Sequence, residues 1–484
     1  MGQTKRIPSF AVMVGVSLAV GVLAALGIDY LTSRTPSASN SEADTDLFYR
    51  ERAFLEPQDL VALGPLTGDD RVRCAARLAS NRYHAWLLAV DEAANTRGLA
   101  YLLRIREPGI PELGSLDLEM SRLDPEGQYL EKADDLARIV LRSQLRSGGW
   151  DSDGYCGERR RDRRCVGPDA GPASFRRTRD LMASGESQVM FPNLGKFRCD
   201  PTQNSVIFLL QYSQLRRGPD IRERIRRGLE FILDNQLDCG AWPGAVDEKV
   251  GDAYERLPCF NDGAINHCVD ALIAAYREYQ DPAYLRAIVK AGAYILAVRG
   301  QTVARDAGGE FVQAGWAQHY DLDGRPAPAR VFEPVSLSSL VTARNIATLE
   351  VIAQLTGDRA YLQAVPAARE WLNRSRLADG SWSRLYEIGT NRPFWCEPTG
   401  RKRYDMDDPA IATGEYMWKV MLPGEALGQP EAARMSAQDL EKRRTAVLSE
   451  FQAGGWDPRV QDGKVGLVYA LRDAAAVLRA GRRP

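Results

Sequence analysis

Glycine followed by tryptophan, directly or after one residue, recurs five times along this 484-residue chain. The tryptophans are Trp150, Trp242, Trp316, Trp382 and Trp456, in GGW, GAW, GW, GSW and GGW, at spacings of 92, 74, 66 and 74 residues. About 70 residues accommodate two helices of roughly 15–20 residues with their connections. A second recurrence runs at a constant offset of 77 residues: Asp281, Tyr284, Leu285, Ala287, Ala291 and Tyr294 match Asp358, Tyr361, Leu362, Ala364, Ala368 and Trp371. An Asp before the first turn suits a helix start, because its carboxylate accepts orphan backbone N–H groups. The aromatic and small residues behind it recur on one packing face. Helical hairpins repeated in this way cannot each bury a face alone, so they stack into an array or close on themselves. Strand signals are sparse and short. The expected fold is mainly α: an α/α toroid or partial toroid of helical hairpins, with long loops gathered at one end. A straight solenoid is the alternative, and calls for shorter, more regular repeats.

Ahead of the repeats, Lys5 and Arg6 precede an uncharged run from Phe10 to Ile28, long enough to span a bilayer as a helix. Basic residues before it and Asp29 after it favour an N-terminus in the cytoplasm and the rest outside. Residues 1–30 are expected to be a transmembrane signal anchor, with a cleaved signal peptide as the alternative. Residues 31–47 are Ser/Thr-rich and read as a flexible linker, leaving 48–484 as one domain. The protein is thus expected outside the cytoplasm, periplasmic or at the cell surface, held to the inner membrane by residues 9–28. All eight cysteines follow the anchor. An exported chain permits disulfides, and Cys156–Cys165 and Cys239–Cys259 are pairings that would staple loops. Three histidines and no Cys-x-x-Cys pair argue against zinc. With Lys+Arg 63 against Asp+Glu 64, no whole-protein nucleic-acid footprint exists.

Residues 315–336, GWAQHYDLDGRPAPARVFEPVS, crowd Trp316, Gln318, His319, two Asp and Arg330 into a stretch broken by Gly324, Pro326 and Pro328. It cannot be a helix interior, and a polar loop held between rigid elements is a usual place for chemistry. Asp262, in CFNDGAI, stands where a loop enters a helix. There it serves either as an N-cap or as an oxygen ligand for a hard cation. Asp200, in CDPTQN, carries the same two readings. Residues 381–405 interleave Arg384, Arg392, Arg401, Lys402 and Arg403 with Trp382, Tyr386, Trp395 and Tyr404. Guanidinium groups grip carboxylates and aromatic rings stack on sugars, so an acidic polysaccharide fits this stretch. Nucleic acid fits it less well, for want of a basic stripe or a recognised motif.

GAWPG (240–244), FNDGAI (260–265), GWAQHYD (315–321), PARVFEPVSLS (328–338), RLYEIGTNRP (384–393) and RYD (403–405) occur in this order. Over roughly residues 200–420 the chain therefore resembles the pectate lyases of polysaccharide lyase family 10. The resemblance implies an α/α-toroid fold and calcium-assisted β-elimination of polygalacturonate or a related polyuronate. It implies Arg330 as the catalytic residue. It places Trp316, His319, Arg384, Arg392, Arg403 and Tyr404 on the substrate side, and Asp262 and Asp200 near Ca²⁺. The C5 proton of a uronate leaves only if positive charge stands at the C6 carboxylate. A guanidinium acting as base needs surroundings that make its neutral form accessible. Without the resemblance, Arg330 reads equally as an ion-pair partner of Glu333. Two readings from other classes remain: a glycoside hydrolase using Asp262 with Asp321 or Asp323, and a non-catalytic polyuronate-binding envelope protein.

Overall fold

The computed structural model describes residues 57–97, 103–105, 109–145, 147–150, 153–154, 195–246, 253–306, 308–411, 416–428, 436–453 and 466–482. The apolar run 10–28, the linker 31–47, Cys156, Cys165 and Trp456 lie outside them. Among the described residues, no helix is long and apolar enough to cross a membrane.

The described residues are mainly helical. In chain order come α1 (Pro57–Ala62), α2 (Gly68–Arg97), α3 (Ile110–Leu123), α4 (Tyr129–Arg142), α5 (Pro201–Leu215) and α6 (Pro219–Asp234). They continue with α7 (Ala264–Tyr279), α8 (Pro282–Ala297), α9 (Ser339–Thr356), α10 (Val365–Arg374), α11 (Ala437–Ala453) and α12 (Gly466–Arg482). The chain divides into two compact units, one of residues 1–88 with 436–484, the other of residues 89–435. In the first, α11 packs on α12, and Arg444 Nε donates to Asp69 Oδ1 at 3.0 Å.

The second unit holds four helical hairpins, α3/α4, α5/α6, α7/α8 and α9/α10. The first helices pack in succession, α3 on α5, α5 on α7 and α7 on α9, and the second helix of each hairpin flanks its own first. Sequence follows position. Helix α5 buries Val206, Phe208, Leu209 and Leu210 around its girth, whereas α6 buries a stripe at Ile225, Leu229 and Ile232. The 77-residue repeat is a repeated helix start. Asp281 Oδ1 accepts from Ala283 N, and Asp358 Oδ1 accepts from Ala360 N, each at 2.8 Å. The second copy opens as a 3₁₀ turn, Arg359–Ala364, before Pro366 in α10.

The Gly-Trp loops are the pins between hairpins. Trp150, Trp242 and Trp382 each donate Nε1 to a carbonyl ten residues back, on Val140, Ile232 and Leu372, at 2.7–2.8 Å. In each loop the glycine has a positive φ (98°, 102° and 87°), and its N–H donates to Leu145, Leu237 or Leu377. Trp316 plays the same part with Ile295 O, 21 residues back. Its extra length is a hairpin of β3 (Gly300–Asp306) and β4 (Gly309–Gly315) inserted between helix and tryptophan, pairing Val303 with Val312. Short strands then carry the loops: β5 (His319–Tyr320) pairs with β6 (Pro326–Ala327), and β7 (Leu337–Ser338), β9 (Leu385–Tyr386), β10 (Pro393–Cys396) and β11 (Lys402–Arg403) form one sheet in the order β11-β10-β9-β7. Earlier in the chain, β1 (Leu103–Arg104) pairs with β2 (Asp153–Gly154). Strand β12 (Lys419–Val420) pairs with β8 (Trp382–Ser383). The Cys239–Cys259 pairing is not formed, both thiols being free.

Candidate active site

Several loops of the second unit meet where α5, α7 and α9 begin. Residues 198–200 lead into α5, and a single 3₁₀ turn, Asn261–Gly263, leads into α7. The stretch 316–333 precedes β7 and α9, while Arg384 and Tyr416 stand just before β9 and β12. Three non-glycine residues here, Cys199, Asp200 and Asp262, have φ of 61°, 58° and 54°. Left-handed backbone is costly for residues with a Cβ and gathers where function demands a fixed direction.

That conformation turns Asp262 away from the helix start, so of its two readings the N-cap is not the one realised. The N-cap of α7 is Gly263, and Asp262 instead receives Cys199 Sγ on Oδ2 at 3.4 Å and Asn261 Nδ2 at 3.3 Å. Its Oδ1 faces Arg384 Nη2 at 3.5 Å. Burial pushes this carboxyl up, but Arg384, Arg198, Arg344 and Arg330 outweigh burial and hold it below the usual carboxylate range. Asp262 is therefore a carboxylate ringed by guanidinium groups. Arg384 is 5% exposed, yet its closest acceptor is a neutral amide, Asn261 Oδ1 at 2.7 Å. A guanidinium this buried, with its nearest carboxylate oxygen at 3.5 Å, is suited to an incoming anion.

Arg330 stands at the rim, gripped along one edge. Its Nε and Nη2 donate to Glu333 Oε2 and Oε1 at 2.7 and 2.9 Å. The rings of Phe332 and Tyr416 lie 4.7 and 5.3 Å from its Cζ. Burial would lower the Arg330 pKa, but the Glu333 carboxylate more than offsets this and raises it. Glu333, 3% exposed, is itself pushed up by burial and brought below its ordinary range by Arg330. In this arrangement Arg330 is a firmly charged cation.

The structure corrects several sequence expectations. Trp316 is fully buried as a loop pin, so its ring offers no sugar platform. His319 is 1% exposed, with Nε2 3.3 Å from Cys259 Sγ and the ring edge-on to Tyr254. Burial draws its pKa down to about 4, leaving a neutral imidazole beneath the site rather than in it. Asp200 is fully buried. Its Oδ2 lies 2.6 Å from His267 Nδ1, and Oδ1 accepts from Gln203 Nε2 at 3.2 Å, so it cannot open onto a cleft. Arg403 is bound by Glu397 and by Asp408 at 3.2 Å, which engages its charge within the protein. Arg392 and Tyr404 form a separate pair, the guanidinium carbon 3.5 Å from the ring centroid, while the Tyr404 hydroxyl donates to Glu387 at 2.6 Å. Of the nominated residues, Arg330, Arg384 and Asp262 come together.

Residues to which the sequence reading gave no catalytic or ligand-binding role complete the cluster. Arg198 pairs with Glu255 at 2.5 Å and lies 3.5 Å from the Tyr254 hydroxyl. The Gln318 amide lies 2.7 Å from Asn261 Oδ1 and 3.2 Å from the Tyr416 hydroxyl. Arg198 stands two residues before Asp200, the one sequence hint it had, and Tyr416 lies in an aromatic pair with Trp418.

Calcium takes six to eight oxygen ligands, commonly from several carboxylates. Among the described residues no group of three or more His, Cys, Asp or Glu is placed to hold a metal. With Asp200 enclosed and Glu333 bound to Arg330, Asp262 offers a single carboxylate among guanidinium groups. This donor set does not fit a calcium ion held by the protein alone.

Residues 183–381 match the family model described as pectic acid lyase. By sequence, no curated protein matches the chain. Among solved structures, the family 10 polysaccharide lyase from Cellvibrio cellulosa is similar at 18% identity and TM-score 0.43, over 73% of this chain and 98% of that one. A mutant of that enzyme in complex with trigalacturonic acid is similar at 21% identity and TM-score 0.43, over 60% and 89%. A family 76 glycoside hydrolase (mannosidase) from Bacteroides thetaiotaomicron is similar at 12% identity and TM-score 0.41, over 77% and 86%.

Proposed function

We propose that this chain, whose residues 183–381 match the pectic acid lyase family model, is an exported lyase that cleaves polygalacturonate or a related polyuronate by β-elimination on an α/α-toroid scaffold. The observation that carries the reading is the meeting of Arg330, Arg384 and Asp262 from three separated motifs. Arg384, buried and with Asp262 Oδ1 no nearer than 3.5 Å, takes the C6 carboxylate of the uronate. That fixed positive charge stabilises the anion formed when the C5 proton leaves, without reorganisation during the reaction. Arg330 faces the same anion. Its Nη1 has no hydrogen-bond partner among the described residues, since Glu333 occupies Nε and Nη2. For Arg330 to act as base, its guanidinium first passes one proton to Glu333 along their hydrogen bond, and the neutral guanidine then takes the C5 proton. The electron pair of the C5–H bond forms the C4–C5 double bond as the C4–O4 bond breaks, and the departing O4 takes a proton from water, leaving an unsaturated product end. Calcium enters this proposal as an ion brought in with the polymer's carboxylates beside Asp262, and no step is assigned to it. The apolar run 10–28 supports anchoring outside the cytoplasm.

The test is the ultraviolet absorbance of unsaturated product from polygalacturonate, with CaCl₂ or with chelator. Product in at least one condition is expected, and its loss by a factor of about 10³ or more in Arg330→Ala, as for removal of a central transition-state group. Reducing sugar without unsaturation would identify a hydrolase. Binding without turnover would identify a non-catalytic polyuronate receptor.

A further inference from the structure

Arg330 and Arg384 are like charges close enough to influence one another, so something must keep them together. The ring of Tyr416 is close to both. Its centroid is 4.5 Å from the Arg384 guanidinium carbon and 5.3 Å from that of Arg330. The negative face of an aromatic ring attracts a guanidinium, more strongly where water is displaced. The ring is itself held, edge-on to Phe332 at 5.3 Å and to Trp418 at 4.4 Å. Its hydroxyl meets the Gln318 amide, which reaches Asn261, the acceptor of Arg384. The backbone completes the latch, with Arg384 N donating to Trp418 O at 2.8 Å beside the β8–β12 pairing.

We infer that Tyr416, which lies beyond the matched segment 183–381, is a positioning residue that sets the separation and direction of the Arg330 and Arg384 side chains. The inference rests on the lyase reading for its catalytic consequence and on geometry alone for its consequence in binding. With Glu333 on one edge of Arg330 and Phe332 and Tyr416 against the guanidinium, loss of the ring removes one of the three groups that fix its direction. Arg384 loses the same brace.

The experiment compares the full chain with Tyr416→Leu and Tyr416→Phe, measuring kcat and KM on polygalacturonate, trigalacturonate affinity by calorimetry, and Tm. Tyr416→Leu is expected to lower kcat by about tenfold or more and to weaken trigalacturonate binding, with Tm close to that of the parent. Tyr416→Phe, which restores the ring, is expected to recover most of kcat. If Tyr416→Leu does not fold, Tyr416→Met replaces it and is read in the same way. Should the parent bind trigalacturonate without turnover, the lyase reading fails, and weaker binding by Tyr416→Leu still supports the bracing role. Unchanged kcat and affinity in the ring-less variant overturn the inference. So does equal loss in Tyr416→Phe, and so does a parent that neither binds nor turns over.

Discussion

At the scale of single residues, environment separates groups that the sequence presents as equals. Asp200 and Asp262 both stand at left-handed positions before a helix, yet one carboxylate is enclosed and the other faces guanidinium groups. The enclosed one forms a buried pair with His267, near which Asp270 and Arg344 also stand. Burial would lower the His267 pKa, but the Asp200 charge and hydrogen bond outweigh it and raise it to about 9. The sign follows from linkage. A histidine held at about 9 when folded and 6.5 when unfolded contributes stability that is complete below 6.5 and lost as pH rises through 9. The His267 side chain is 25% exposed, so solvent screens part of the effect, leaving on the order of 2 kcal/mol. Denaturant unfolding of the parent should thus show stability falling between neutral pH and about pH 10. His267→Gln should flatten that alkaline slope. An unchanged slope would show that His267 is not the titrating group. The Arg330–Glu333 pair teaches a second lesson: three residues of spacing suffice for an ion pair, and the sequence reading that weighed it was sound.

At the scale of elements, the tryptophans proved to be architecture. In the sequence reading Trp316 falls on the substrate side and Trp382 lies in a stretch whose rings suit sugar stacking. Trp150, Trp242, Trp316 and Trp382 are all core, each satisfying a helix-end carbonyl through its indole N–H. The glycine is equally constrained. A Cβ at Gly240, where φ is 102°, would lie 2.4 Å from the Lys290 carbonyl oxygen. Gly240→Ala is expected to cost about 2 kcal/mol or more, read as a fall in Tm. An unchanged Tm would mean that this loop is not a pin between hairpins. The helix starts at Asp281 and Asp358 were legible because capping is local chemistry. At Asp262, where the sequence left cap and cation ligand open, the turn before α7 takes its left-handed twist and leaves the N-cap to Gly263.

At the scale of the whole molecule, a net charge of −1 conceals a local concentration of positive charge, in which Arg198, Arg330, Arg344 and Arg384 all act on Asp262. If a polyanion is drawn there by charge, KM for polygalacturonate should rise several-fold with added salt, as the screening length falls from about 10 Å at 0.1 M to about 3 Å at 1 M. Tm should move little over the same range, and a flat KM would remove electrostatics as the basis of recognition. The sequence by itself determined the helical hairpins, their repeat and the motifs that meet at the site. Each of these is written in residues close along the chain, as periodicity, caps and short signatures. Only the tertiary structure decided which charged side chains are spent inside the protein and which remain for a ligand. Arg403, His319 and Asp200 are claimed by Glu397, Cys259 and His267, from 6, 60 and 67 residues away, whereas Arg384 bonds a neutral acceptor 123 residues away at 2.7 Å and has the Asp262 carboxylate at 3.5 Å. Long-range pairing and burial set the free energy of each charge, and a linear pattern of residue types carries neither.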